Sequence, residues 1–131
     1  MKTEKLEVSI TLPVEPAEIY KAWLSSKAHS AFTGGTASIS ARKGSKYTAW
    51  DDYISGKILE LEKDKRILHS WRAAEFRDTD PDSMVEILLE KKGKGTKLTI
   101  RHSGIPEKLG RIYKQGWKDY YFTPMKAYFG S

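Results

Sequence analysis

The 131 residues, 39% of them hydrophobic, suffice for one domain with a real core and are too few for two. There is no cysteine, which excludes a disulfide scaffold, a thiol nucleophile and any zinc site built on thiolate. No apolar run approaches the roughly 18 residues of a membrane span, and Met1-Lys2-Thr3-Glu4-Lys5 is no secretory leader, so a single soluble, cytoplasmic domain over 1–131, with no membrane partner, is expected. Lysine and arginine number 23 against 17 acidic residues, a formal +6 that permits weak contact with nucleic acid or an acidic protein and says nothing about fold.

Leu6, Val8, Ile10 and Leu12 alternate with Glu7, Ser9 and Thr11, the period of a half-buried strand. Pro13 and Pro16 bracket a stop and a start. Glu15-Pro16-Ala17-Glu18 places proline where a helix needs no N–H and carboxylates at the positive end of its dipole, with Ile19, Tyr20, Trp23 and Leu24 as the inner face. A second short helix over Ser26 to Phe32 is broken by Gly34-Gly35. Strands are expected at Thr36 to Ala41, Lys46 to Trp50, Tyr53 to Glu62, Arg66 to Ala74, Met84 to Lys91 and Thr96 to Ser103. Turn chemistry separates them at Lys43-Gly44-Ser45, Asp51-Asp52, Glu62-Lys63-Asp64-Lys65, Asp78-Thr79-Asp80-Pro81-Asp82 and Gly93-Lys94-Gly95. Short strands joined by tight turns imply an antiparallel sheet with one solvated face.

The last third gathers much of the aromatic content into one helix, from about Lys108 to Phe129. Leu109, Ile112, Tyr113, Trp117, Tyr120, Tyr121, Met125 and Tyr128 recur every three or four positions, so one broad face must lie against something concave. A twisted sheet around such a helix encloses space unless side chains fill it, and a small ligand would go there.

This order resembles the helix-grip fold of the Bet v 1-like or START (SRPBCC) superfamily, an α+β class with six to seven antiparallel strands wrapped around a long C-terminal helix and two short helices after the first strand. More narrowly, the chain resembles the AHSA-type family, the C-terminal domain of the activator of heat-shock-protein-90 ATPase. The resemblance spans 8–130 and is carried by Ala31-Phe32-Thr33, Gly44, Ser55-Gly56, Trp71-Arg72, Gly95-Thr96-Lys97-Leu98 and Gly104-Ile105-Pro106. Its most specific part is Gln115-Gly116-Trp117 with Tyr120-Tyr121-Phe122, Lys126 and Phe129-Gly130. It implies a non-enzymatic binding module that holds a small hydrophobic or amphipathic ligand in the sheet–helix cavity, contacts a heat-shock-protein-90-type chaperone in a stress response, or both, with no cofactor. As an alternative it admits an enzyme of the polyketide cyclase or hydrolase type using the same cavity. In the eukaryotic co-chaperone a chaperone-docking domain precedes this one, whereas here the resemblance begins close to Met1, so the C-terminal unit by itself is expected. Pro124 stands where the co-chaperone's closing helix has glycine, and a kink is expected there, with the carbonyl of Tyr120 losing its donor.

The residues themselves give little sign of catalysis. His29, His69 and His102 have no metal-ligand spacing, no serine occupies an elbow motif, and no helix start follows Gly93-Lys94-Gly95 to cradle phosphate. His69 shares the strand phase of Ile67 and Trp71, and His102 that of Leu98 and Ile100, so both are expected to face the cavity as hydrogen-bonded lining, while Arg72 and Ser70 face outward. The expected lining is therefore His69, Trp71 and His102 from the sheet with Tyr113, Trp117 and Tyr120 from the helix. Four tyrosines on that helix, each needing a hydroxyl partner if buried, favour a cavity over a plain core. Lys91, Lys92, Lys94, Lys97 and Arg101 form a basic hairpin whose simplest reading is a solvated outer face. Nucleic-acid binding through that hairpin is the weakest reading, because the aromatics belong to a buried helix rather than an exposed stacking strip.

Overall fold

β1 (Thr3–Leu12) turns Val8 and Leu12 into the core and Glu7, Ser9 and Thr11 to solvent, as its alternation requires. The computed structural model describes residues 2–130. In it α1 (Pro16–Trp23) has Pro16 in its first turn and buries Ile19, Ala22 and Trp23, leaving Tyr20 half-buried. α2 (Ser26–Thr33) is capped by Ser25 Oγ, which accepts from Ala28 N, and it ends on Gly34 at φ 86°, a left-handed position that glycine fills without strain.

Five strands follow: β2 (Lys46–Ala49), β3 (Ile54–Glu62), β4 (Arg66–Ala73), β5 (Ser83–Lys92) and β6 (Gly95–Pro106). All neighbours are antiparallel, in the order β1-β6-β5-β4-β3-β2, so the first strand closes against the last. Gly93 and Lys94 form the β5–β6 turn, with Lys92 opposite Gly95. Register shifts between Glu4 and Leu6 and between Ile58 and Glu60 bend the sheet into a half-pipe. At Gly56 β3 comes so close to β4 that a Cβ would meet Ser70 O at 2.2 Å, which explains glycine there.

The strand expected at Thr36 to Ala41 does not form beyond one bridge between Ser38 and Thr48. Serine hydroxyls of α2 take the backbone groups instead. Ser26 Oγ accepts from Ile39 N and donates to Ile39 O, at 2.9 and 3.0 Å, and Ser30 Oγ accepts from Ala37 N at 2.9 Å. The alternation was real, since Ala37 and Ile39 are buried, but the partner is a helix. Ser70, expected outward with Arg72, is buried, its hydroxyl accepting from Lys57 N at 2.9 Å.

The closing helix lies against this sheet as α3 (Gly110–Trp117), a wider π turn (Lys118–Phe122) and α4 (Thr123–Phe129). It begins at Gly110 rather than Lys108, which is left-handed at φ 77°. The Glu4 carboxylate of β1 accepts from Lys108 N and Gly110 N, so the first strand supplies the helix's N-terminal acceptor. Pro124 falls in the first turn of α4, and the helix adjusts just upstream, where Thr123 N and Thr123 Oγ1 both donate to Lys118 O. The buried stripe is narrower than periodicity suggested. Tyr113, Trp117, Tyr121 and Met125 are buried together with Phe122, whereas Ile112, Tyr120 and Tyr128 are exposed.

Candidate functional site

Helix and sheet do not close completely. Between the β2–β3 hairpin, the start of the β4–β5 loop and the first half of the closing helix lies a cavity of about 370 Å³. Seven aromatic rings wall it: Trp50 and Tyr53 from the hairpin, Trp71 from β4, and Tyr113, Trp117, Tyr120 and Tyr121 from the helix. Ile54, Ile112 and Gly116 complete the apolar surface, and Glu75 is the one charged residue of the lining. Tyr53, Ile112 and Tyr120 form the exposed lip. Among the described residues no group of three or more His, Cys, Asp or Glu comes together as a metal site.

The rings pack edge to face or tilted. Trp71 meets Tyr113 at 4.9 Å, Trp117 meets Tyr121 at 4.8 Å, and Tyr120 closes over Trp50 at 5.9 Å. Trp50, Asp51 and Asp52 are consecutively left-handed, a conformation that non-glycine residues rarely adopt. Two contacts hold them there. Asp51 Oδ1 accepts from Thr36 N at 2.9 Å, and Gly35 lies so close under Trp50 that a Cβ would meet its ring at 2.8 Å. The Gly34-Gly35 breaker and the Asp51-Asp52 turn are thus what aim Trp50 into the wall.

Glu75 is placed by the 74–82 loop, braced from β4. Arg72 donates to the carbonyls of Arg77 and Asp80 and to Asp82 Oδ1, while buried Asp80 accepts from Arg77 N at 2.8 Å. The Glu75 carboxylate oxygen Oε2 accepts two phenol hydroxyls, from Tyr53 and Tyr113, each at 2.6 Å. Burial and this carboxylate push both phenols well above the ordinary tyrosine value, so they remain neutral donors.

Of the lining residues expected from sequence, Trp71, Tyr113, Trp117 and Tyr120 meet around this cavity. His69 and His102 do not line it. Both point inward on paired positions flanking Val85, into the core behind the wall, where both nitrogens of His102 and Nδ1 of His69 are engaged and His69 Nε2 has no partner among the described residues. His102 Nδ1 accepts from Trp117 Nε1 at 3.1 Å, which fixes the proton on Nε2; that nitrogen donates to Ser83 Oγ at 2.8 Å, and Ser83 donates to Trp71 O at 2.7 Å. His69 Nδ1 donates toward Ser70 O and the Tyr47 hydroxyl. His29 Nδ1 donates to Trp23 O at 2.8 Å, so its Nε2 accepts from Tyr121 Oη at 3.0 Å. Burial holds all three neutral, lowering His29 and His69 to about 4 and His102 to about 3. Of the four helix tyrosines, Tyr121 has a buried hydroxyl partner in His29 and Tyr113 has one in the exposed Glu75 carboxylate, while Tyr120 and Tyr128 are exposed. Sequence reasoning passed over Trp50, Tyr53 and Glu75. The usable signal was an aromatic on each side of a turn that faces the helix.

A larger hollow of about 610 Å³ lies on the outer sheet face, bordered by Lys5, Glu7, Glu86, Arg101 and His102. Three of its four charges are matched to one another, since Arg101 pairs with both Glu7 and Glu86. In the basic hairpin Lys91 likewise pairs with Glu15, and Lys97 stands opposite Glu90. The apolar cavity is therefore the better candidate site.

Comparison with known proteins agrees with this architecture. The family model described as Activator of Hsp90 ATPase homolog 1-like protein matches residues 13–130. The activator of 90 kDa heat shock protein ATPase homolog 1 of Homo sapiens is 29% identical over 128 residues, which cover 98% of this chain and 38% of that protein. The chain thus spans well under half the length of this relative. Among solved structures, an HSP90 activator from Plasmodium falciparum superposes with a TM-score of 0.87 at 20% identity, covering 95% of this chain and 94% of the other. A protein of the dynemicin biosynthetic locus, DynU16, gives a TM-score of 0.78 at 21% identity over 95% of this chain and 46% of the other, a likeness of fold alone.

Proposed function

Because the chain belongs to the Activator of Hsp90 ATPase homolog 1-like family, we propose that it is a non-enzymatic, START-like binding module that holds a small hydrophobic or amphipathic molecule between sheet and closing helix. The observation that carries this reading is the cavity, about 370 Å³ of space walled by seven aromatic rings. The cavity opens to solvent through its lip, and a contiguous apolar surface left open in this way marks a ligand or partner site. Its volume lies within the usual range of small-molecule sites, and a mostly apolar wall with a few polar tips is their usual surface. Favouring binding over cyclase or hydrolase chemistry, the buried histidines are neutral and have donors or acceptors behind the wall, and Glu75 has no second acid–base group beside it except phenols that it holds protonated.

A chaperone contact is the second reading, supported by the human relative named for the ATPase of the 90 kDa heat shock protein. A cytoplasmic location is part of the same proposal. Native mass spectrometry of freshly purified protein, followed by thermal shift with fatty acids, sterols, flavonoids and polyketide-like aromatics, tests the first. A guest that binds only the folded state adds about 2.7 kcal/mol at a hundred times its dissociation constant, a readily visible rise in melting temperature. If no class shifts the melt while a heat-shock-protein-90 homologue is captured in pull-down, the partner surface is the function and the cavity reading fails.

A further inference from the structure

The charge of the cavity is opposite to that of the chain. The protein carries 23 Lys and Arg and a formal +6, yet none of those cations lines the cavity, and its one charged residue is the carboxylate of Glu75. That carboxylate is not half of an ion pair. The ion pairs among the described residues use Glu7, Glu15, Glu60, Glu62, Glu86, Asp80 and Asp82, and leave Glu75 out. Two phenols, Tyr53 and Tyr113, fix its orientation through Oε2, while Oε1 takes no hydrogen bond from a described residue.

Each class of guest meets this arrangement differently. An anion would approach a carboxylate with no countercharge. A neutral apolar molecule would satisfy the rings but strip water from an ionised carboxylate and give nothing in return. A cationic nitrogen satisfies both elements, because the faces of Trp and Tyr attract cations through their quadrupoles and the carboxylate supplies the countercharge. Resting on the binding-module reading above, we infer that the cavity selects an amphipathic molecule with a cationic nitrogen, an amine or a quaternary ammonium. Its cation is held at the Glu75–Tyr53–Tyr113 corner and its apolar body lies along Trp50, Trp117 and Tyr120.

The test uses three probes with the same ring and different heads, 2-phenylethyltrimethylammonium, 2-phenylethanol and 3-phenylpropanoate, titrated into the full chain at pH 7.5 with tryptophan fluorescence as readout. The ammonium should bind at least tenfold more tightly than the alcohol, and the carboxylate most weakly. Glu75→Gln keeps an oxygen for both phenols, so it should leave the alcohol's affinity and the melting temperature unchanged while bringing ammonium and alcohol within about twofold. A purely structural strut at Glu75 would not move that preference. Tyr120→Ala, at the exposed lip, should weaken ammonium and alcohol together. Equal binding of ammonium and alcohol by the unaltered protein, or a preference that survives Glu75→Gln, overturns the inference and leaves the binding module standing. If none of the probes binds, the cation inference is overturned as well, and the binding-module reading is decided separately by the thermal-shift screen above.

Discussion

Trp117 is held in two ways, by burial among Trp71, Trp23 and Tyr121 and by its indole N–H, which donates to His102. The second contact starts a relay through His102 and Ser83 to the carbonyl of Trp71, so the helix side of the cavity wall is bonded to the sheet side through three side chains. Trp117→Ala should lower stability by about 3 to 5 kcal/mol, from lost burial, the space left behind and an unpaired acceptor on His102. Equilibrium denaturation checks it, and a loss below about 1 kcal/mol would mean that the helix does not depend on this anchor. Periodicity was enough to place Trp71, Tyr113 and Trp117 on one interior, because burial imposes it. It could not place Glu75. That residue is exposed on a loop, and what makes it part of the site is the approach of Tyr53 and Tyr113, separated from it by 22 and 38 positions.

At the scale of elements, the lesson comes from the segment between α2 and β2. Its alternating Ala37 and Ile39 are buried as a strand's would be, yet Ser26 and Ser30 of a neighbouring helix satisfy its backbone. Hydrophobic pattern reports which side chains go in and not which group answers the backbone, so the burial was legible and the pairing was not. Ser26→Ala should therefore strand both the N–H and the carbonyl of Ile39 and destabilise by about 1 to 3 kcal/mol, a large effect for an exposed serine. Ser26→Thr, which retains the hydroxyl, should recover most of it. A chemical-denaturation midpoint unmoved by Ser26→Ala would show that water replaces the hydroxyl freely. The closing helix teaches the same point. Pro124 announced a disturbance, but its form, a π turn one step upstream, depends on Thr123 supplying both its N–H and its hydroxyl to Lys118 O.

The molecule as a whole stakes its core on neutral histidine. His29 from α2, His69 from β4 and His102 from β6 are each almost wholly buried, and they join the short helices, the sheet and the closing helix through Tyr121, Tyr47 and Trp117. Burial is the main cause of their low folded values, about 4, 4 and 3, with mutual repulsion adding at His69 and His102. The unfolded chain binds protons at these sites from the ordinary histidine value of 6.5 downward, whereas the folded chain resists until pH reaches 3 to 4. Between those limits the unfolded state holds more protons, so stability rises with pH and is lost as pH falls. At pH 5 each histidine contributes a loss of about 2 kcal/mol, and the three together about 6, comparable with the whole stability of a small domain. Glu4, Asp51, Glu60 and Asp80 are held below the ordinary carboxylate range by the groups that bond them, so what they add to the fall comes near and below pH 5, after the histidines. Melting temperature followed from pH 7.5 to 4.5 should therefore drop steeply below about 6.5, and urea unfolding at pH 7 and pH 5 should reproduce the difference. A profile flat between pH 7 and pH 5 would mean that the native histidines take up protons as readily as the unfolded chain does, which would overturn this account; at His102 it would also require losing the bond that Nδ1 accepts from the Trp117 indole.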